Sequence, residues 1–463
     1  MATAHDPSFY RSPADAAKAP PEKLAYVAMP NVEAPPQPDR LAVVDVDPDS
    51  PTYAQIVGQL EMPNAGDELH RFGWNACSAC LCPGHDHHME RRYLIVPGIR
   101  SSRIHVIDTQ PDPKTPQLHK VIEPQEVHEK TGYSRPHTVH CGPDGIYISA
   151  LGAPDGEGPG GILLMDAHNF ELGGAWEAER GDQYFAYDFW WHLMKDVMVT
   201  SEWATPNMIE NGVEPQLLLG GKYGHCMHIW NLEERRHLET LDLGKEHQMV
   251  LELRPAHHPD KLYGFVGVVL SLNDLSASVW LWHRDNGKWK VQKVIEIPAE
   301  AAKPDDLPPL LKGFKAVPPL ITDINLSTDD RFLYVSCWGT GELRQYDVTD
   351  PYHPKPTGFV RLGGIVRRSP LPSVEGPLNG GPQMVEVSRD GRRVYFTNSL
   401  YAAWDEQFYP DGVKGWMVKL DVPPKGGMSL DPNFFLEFDP RYRGHQVRLQ
   451  GGDSSSDSYC YSK

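Results

Sequence analysis

Apolar and polar positions in this chain alternate over short runs, and no stretch sustains the three-to-four residue spacing of a long helix. Two kinds of segment recur. In the first, an alternating strand ends on a polar residue, turns, and returns as a second strand. Seven such pairs follow one another: RLAVVDVDPDSPTYAQIVGQLEM from Arg40, RIHVIDTQPDPKTPQLHKVIE from Arg103, GGILLMDAHNFELGGAW from Gly160, HCMHIWNLEERRHLETLDL from His225, SVWLWHRDNGKWKVQKVIEI from Ser278, ELRQYDVTDPYHPKPTGFVRL from Glu342 and WMVKLDVPPKGGMSLDPNFFLEF from Trp416. The second kind passes through a tight polar turn into another strand, as in HTVHCGPDGIYISAL from His137, DFWWHLMKDVMVTSEW from Asp188, LELRPAHHPDKLYGFVG from Leu251, TDINLSTDDRFLYVSCW from Thr322 and PQMVEVSRDGRRVYFTNS from Pro382. Asp-Gly and Asp-Asp turns suit hairpins, whose backbone angles favour Gly, Asp and Asn.

Two hairpins make a unit of four strands, and the turn markers Asp144, Asp196, Asp260, Asp329 and Asp390 are spaced 52 to 69 residues apart. Four-stranded units at that period predict an all-β fold, a seven-bladed β-propeller. The ends predict its closure: EKLAYVAMP precedes the first pair as a single strand, and GHQVRLQGGDSSSD supplies the missing one, so the N- and C-terminal strands pair in one blade. Residues 1–21, rich in Pro and Ala, are expected as a mobile N-terminal arm, and residues 22–463 as a single propeller domain. The stretches from Pro298 and from Ile365, with their prolines and charges, read as inserted loops.

A formal charge of −18 repels phosphate backbones and argues against nucleic acid as a partner. No apolar run is long enough to cross a bilayer as a helix, and the N-terminus lacks the apolar core of a secretory signal. Seven cysteines, an odd number, speak against a disulfide framework. A cytoplasmic protein is expected, or a periplasmic one if an export signal was removed. Oligomeric state is not readable from these residues.

Candidate chemistry concentrates in WNACSACLCPGHDHHMERRYLIVP, from Trp74, where Cys77, Cys80 and Cys82 precede His85, His87 and His88. Thiolates and imidazoles are ligands for zinc and copper, but one CxxC without a second pair falls short of four ligands. A metal here borrows from elsewhere, and His137, His140 and His445 are the candidates. In a propeller, residues at the start of innermost strands face one channel mouth. There the Cys77–His88 loop, His137, His140, Asp188, Asp323, Gln383 and His445 are expected to converge, with Cys77, Cys80 and Cys82 as reduced thiols, at least one of them close to the metal. His192, His247, His257, His258 and His283 are expected as hydrogen-bonded packing residues, and Phe189, Trp190, Trp191, Trp203 and Trp338 as packing between blades. Glu202 and Asp323 receive no catalytic role. GEGPGG, from Gly156, lacks the strand-to-helix setting of a phosphate loop.

The chain resembles the selenium-binding protein family, which includes methanethiol oxidases. The resemblance is carried by DELHRFGWNACSAC (Asp67 to Cys80), LHKVIEP, PHTVHC (Pro136 to Cys141), YDFWW, SEWATPN, ITDINLSTDDRFLYVS, LRQYDVTDP, GGPQM, SLYAAWDEQFYP and GGDSSSD, all in one order. It implies a seven-bladed propeller and a copper-dependent conversion of methanethiol, with O2 and water, to formaldehyde, hydrogen sulfide and hydrogen peroxide. It also implies metal ligands among His87, His88, His137, His140 and His445, with Cys77 or Cys80 as reactive thiols. Some animal members carry a selenium-associated cysteine in the segment matching SPTYAQIVGQLEMPN, where this chain has Ala54. The alternative function is a non-catalytic propeller that binds selenium, metal or partners. A zinc hydrolase would need a general base that these residues do not offer.

Overall fold

Each alternating pair finds its inner hairpin, and together they close a ring of seven four-stranded antiparallel sheets; the computed structural model describes residues 6–84, 88–371 and 374–463. Blade one is built from both ends of the chain. Leu24–Met29, Pro38–Asp45 and Ile56–Ala65 run outward in order, and Val447–Leu449 is the innermost strand, with Ala25 opposite Leu449 and Val27 opposite Val447. Blades two to seven begin at the axis with Gly73–Trp74, Ser134–Gly142, Phe189–His192, His247–Pro255, Ile321–Leu326 and Val385–Val387.

Burial falls from axis to rim, as the sequence pattern requires. Every residue of His247–Pro255 is buried, because blades press on it from both sides, whereas only Ile295 and Ile297 are buried in the outermost strand of the same blade, Lys288–Ile297. Aliphatic side chains of adjacent blades interlock: Ile104 and Val106 of blade two pack with Ile146 and Ile148 of blade three. Burial of this kind contributes about 25 cal/mol per Å² of apolar area and holds blade to blade.

Two decorations close the channel ends. Short helices Pro206–Ile209, Pro215–Leu219 and Ala402–Phe408 join the insertion carrying the strand pair Glu300–Ala301 and Ala316–Val317. Their apolar side chains merge with Trp203, Trp338 and Tyr401 into one cluster over one channel end. At the opposite end the C-terminal tail folds back. Asp457, fully buried, accepts from Arg91 Nη2, from Arg389 Nη2 at 2.7 Å and from the Ser78 amide at 2.8 Å. His257, expected as a packing residue, bridges Asp330 and the Ser454 carbonyl. Asp6 and Tyr10 of the N-terminal segment touch the same region through the Arg91 amide and Ser78 Oγ.

Deleting residues 444–463 removes the innermost strand of blade one together with the Asp457 clasp. The truncated chain should lose its single cooperative thermal transition, measured by calorimetry; a truncated protein that melts like the intact one would refute closure by this strand.

Candidate metal centre

Every blade repeats the same order, so the innermost strands all enter the channel from one end and their residues can be ranked by depth. At the entry level stand three imidazoles from three strands: His70, just before Gly73–Trp74, His137 in Ser134–Gly142, and His445, just before Val447–Leu449. Their rings touch, with His70 stacked on His445 at 3.6 Å between centroids and 5.0 Å from His137. All three are buried. Burial holds each ring nitrogen pair far below the usual histidine pKa, that of His445 at about 3, so the rings are neutral.

The hydrogen bonds fix which nitrogen is bare. His445 Nδ1 lies 2.9 Å from the Ser399 carbonyl, which can only accept, so Nδ1 carries the proton and Nε2 the lone pair. His137 Nδ1 pairs with Thr138 Oγ1 at 3.1 Å. The Nε2 atoms of His137 and His445 are buried with no hydrogen-bond partner. A neutral imidazole anchored through Nδ1 with a bare Nε2 is the arrangement of a metal-ligating histidine. Neutral imidazoles are donors that copper and zinc accept, but the ring nitrogens of His70, His137 and His445 do not all lie within 4.8 Å of one another, so the three could share one ion only if a ring turned.

One level deeper lies a belt of buried charge. Arg71 pairs with Glu252, which also accepts the Tyr187 hydroxyl at 2.7 Å; Arg254 reaches Asp188, Glu252 and Asp323 at 3.3 to 3.4 Å; Arg448 binds Glu386 at 2.6 Å and Asp453 at 3.3 Å. Acids outnumber arginines here, and burial, with the neighbouring carboxylate second, pushes Asp188 up to about 6, Asp323 to about 7 and Glu386 to about 8. Arg71 and Arg254 hold Glu252 below the usual range against its burial. Asp188 and Asp323, expected at the mouth, thus serve this belt.

His140 does not join His137 and His445. Its ring lies 4.3 Å from Trp190, and its electrostatic neighbours are Arg448 and Asp457 rather than Arg71. Three residues of extended strand span roughly 10 Å, which puts the two histidines at different levels. His140 Nδ1 meets the Cys141 carbonyl at 2.8 Å, and its Nε2 is likewise buried without a partner. With Cys77 and Cys141 it forms a group whose ligand atoms lie within 4.8 Å of one another.

The cysteines require a correction. Cys77 is bonded to Cys141 and Cys82 to Cys460, so neither Cys77 nor Cys82 is the reduced thiol expected, and Cys77 in this state is no nucleophile or thiolate ligand. An odd cysteine count leaves room for two bridges when partners are remote in sequence, and the inference of a reducing compartment from that count loses its premise. Cys80 stands outside both disulfides. His88 is exposed on this loop, and His87 lies outside the described residues.

An apolar cavity adjoins the imidazoles. His70, Tyr187, Trp203, Met249, Leu320, Trp338 and Trp404 are among its walls. Tyr187 also packs on His137, with 4.5 Å between rings. His70 is the functional candidate that sequence reading missed. Its signal was present, since it opens an innermost strand just as His137 and His445 do, but that strand has only two residues and shows no alternation.

Comparison with known proteins agrees with this architecture. The profile of the 56 kDa selenium-binding protein family matches residues 3–460. The chain is similar to the methanethiol oxidases of Xenopus laevis and Homo sapiens, each 42% identical with 97% of both chains covered. It is also similar to the crystal structure of a hypothetical selenium-binding protein from Sulfolobus tokodaii, with a TM-score of 0.96 and 58% identity over 98% of this chain and 100% of that one.

The belt sets a pH dependence. Acids whose pKa is raised by folding bind protons more tightly in the folded state, so stability falls as pH rises from about 4 toward their folded values near 8, by up to about 1.4 kcal/mol per pH unit for each fully shifted group. Between pH 5 and 8.5 the Glu386→Gln variant, which cannot titrate at that position, should lose less thermal stability than the native protein. Equal losses across that interval would show that Glu386 enters the fold already ionised.

Proposed function

The chain belongs to the 56 kDa selenium-binding protein family, and we propose that it is an oxidoreductase that oxidises methanethiol at the His70, His137 and His445 cluster with copper as its metal. The observation that carries this reading is the pair of buried, unpartnered Nε2 atoms of His137 and His445, whose rings neighbour His70 in the wall of an apolar cavity. The relatives named methanethiol oxidase support the activity, and the three neighbouring imidazoles support this location for it.

The reaction balances as methanethiol, dioxygen and water giving formaldehyde, hydrogen sulfide and hydrogen peroxide. The methyl carbon loses two electrons, dioxygen takes them, and water provides the carbonyl oxygen as the carbon–sulfur bond breaks. Copper held by imidazoles supplies affinity for a soft thiolate and one-electron exchange with dioxygen.

The chain's own part is positional and electrostatic. The Ser399 carbonyl holds the His445 proton on Nδ1, so Nε2 remains a donor of electrons. Burial keeps the three rings unprotonated, and Arg71, close enough to lower the proton affinity of each, adds to it. Glu252 lies near enough to favour positive charge at His445, which offsets part of the cost of a buried cation. The Tyr187, Trp203, Trp338 and Trp404 rings exclude bulk water and offer π-faces and edges, with which divalent sulfur makes favourable contacts worth ~0.3–1.5 kcal/mol each. Hydrogen sulfide and a small aldehyde leave through the same apolar space.

Selenium binding at the position of Ala54 finds no thiol in this chain, and the turn there places Ala54 in a left-handed conformation, φ 60°. The disulfide-bonded Cys77 and Cys141 beside His140 offer a metal only after reduction, when two thiolates and an imidazole would face it.

Replacing His137 or His445 by Ala should remove bound copper, measured by elemental analysis, and lower hydrogen sulfide release by a factor on the order of 100 or more, since even partners behind metal ligands cost 10–100-fold. His140→Ala should retain copper. Native turnover by metal-free protein would overturn the copper assignment, and absence of methanethiol turnover by copper-loaded protein would leave a selenium- or metal-binding scaffold as the better account.

A further inference from the structure

The outer hairpin of blade four carries another group of metal-ligating side chains, on the rim of the ring rather than at its axis. Its strands, Cys226–Asn231 and Arg236–Asp242, pair with Cys226 directly opposite Asp242, and His225 precedes the first of them. His225 Nδ1 lies 2.8 Å from Asp242 Oδ1 and 3.4 Å from Cys226 Sγ, and the three side chains bring one ligand atom each to within 4.8 Å of the others. Around a tetrahedral zinc ion, with Zn–S of about 2.3 Å and Zn–N and Zn–O of about 2.1 Å, neighbouring ligand atoms stand about 3.4 to 3.6 Å apart. Sulfur and nitrogen already keep that spacing here, and nitrogen and oxygen reach it by parting about 0.6 Å. Among the described residues one other such group exists, His140 with Cys77 and Cys141, and there the two sulfurs are joined in a disulfide. Cys226 stands outside both disulfides.

The backbone beneath the group is held in place. Glu202 Oε2 accepts the amides of His225 at 3.2 Å and Cys226 at 3.0 Å, while its Oε1 lies 2.9 Å from His228 Nε2. Gly224 runs so close to Glu202 that a Cβ there would stand 2.4 Å from the Glu202 Cβ, a contact only glycine avoids. On the facing strand the Gly244 amide donates to Asp242 Oδ1 at 2.8 Å. Burial first, then the Glu202 and Asp242 carboxylates, push the Cys226 thiol well above its usual pKa. The same two carboxylates make a potential that favours a cation beside the sulfur. The side chains of His225 and Asp242 are 20% and 60% exposed, so an ion and a completing water reach the group from solvent.

We propose that His225, Cys226 and Asp242 bind a zinc ion, with water as its fourth ligand. A thiolate, an imidazole and a carboxylate are a mixed set that zinc accepts in tetrahedral geometry. As the zinc–sulfur bond forms, the Cys226 thiol proton leaves to solvent. The Asp242 carboxylate can only accept, so His225 Nδ1 carries its proton before the ion arrives; that proton moves to Nε2 and Nδ1 donates its lone pair. No electron is transferred. The ion ties the first residue of the third strand to the last residue of the fourth, across the open end of the hairpin, and it owes nothing to the oxidase reading.

Cobalt(II) is the probe, because it occupies zinc sites and a thiolate ligand gives it a charge-transfer band in the near ultraviolet. Titrated into chelator-treated full-length protein, cobalt should raise that band to saturation at one equivalent, and added zinc should abolish it. Cys226→Ser should remove the band, and Asp242→Asn, at an exposed position, should weaken binding at least tenfold, since even partners behind metal ligands cost 10–100-fold. Cys80→Ser, His137→Ala and His445→Ala should keep both band and affinity. Zinc should raise the thermal transition of the native protein and leave that of Cys226→Ser unmoved. A band that survives Cys226→Ser, native affinity in Asp242→Asn, or no band in the native protein at millimolar cobalt overturns the proposal. The oxidase reading stands or falls separately, on copper retention and hydrogen sulfide release in the His137→Ala and His445→Ala variants.

Discussion

A ring of sheets has no free inner edge only if the last blade is completed by a strand from the far end of the chain, and that constraint governs this protein. Val447–Leu449 satisfies the inner edge of Leu24–Met29, and the residues around it are then placed without further choice. His445 enters beside His70, Arg448 reaches Glu386, and the tail that follows packs under the channel with Asp457 between two arginines. An unpaired edge at the axis would expose backbone groups that the crowded channel has no water to satisfy.

Seven strands meeting at an axis leave a space too wide for backbone and too narrow for solvent, and this chain fills it in layers. Apolar rings occupy the entry, neutral imidazoles stand beneath them, and arginine–carboxylate pairs fill the middle. The middle layer is costly to bury and stable only when complete, because removing one member leaves an uncompensated charge. Its completeness matters for the site above. Burial sets the neutral state of the three histidines, Arg71 adds to it at each ring, and Glu252 opposes it at His445, so the belt acts on the imidazoles through space.

Much of the fold was legible because hairpins announce themselves locally. Asp-Gly and Asp-Asp turns and alternating strands recur often enough that the seven blades and the closing strand follow from the letters. The site was legible only in part. His137 and His445 follow from the rule that innermost strands start at the mouth, and His70 obeys the same rule, but Gly73–Trp74 is too short for alternation to mark it. His140 lies near His137 in the sequence yet at another depth, a separation that strand geometry imposes and a motif conceals. The disulfides were not legible at all: Cys77 and Cys141 are 64 residues apart and meet where blades two and three pack, while Cys82 and Cys460 are 378 apart and meet only because the ring closes. The charge belt escaped for the same reason, since its members come one or two at a time from six different blades.

The bond between Cys82 and Cys460 ties the tail to the loop of blade two, on the far side of the seam where blade one closes. Hydrogen bonds alone would let the last strand drift away once it peeled from Leu24–Met29. With Cys460 tethered, a detached strand stays within a few residues' reach of its place, at the high effective concentration of an intramolecular partner. The ring is thus a clasp with a chain attached: it can open at the seam without losing the piece that shuts it.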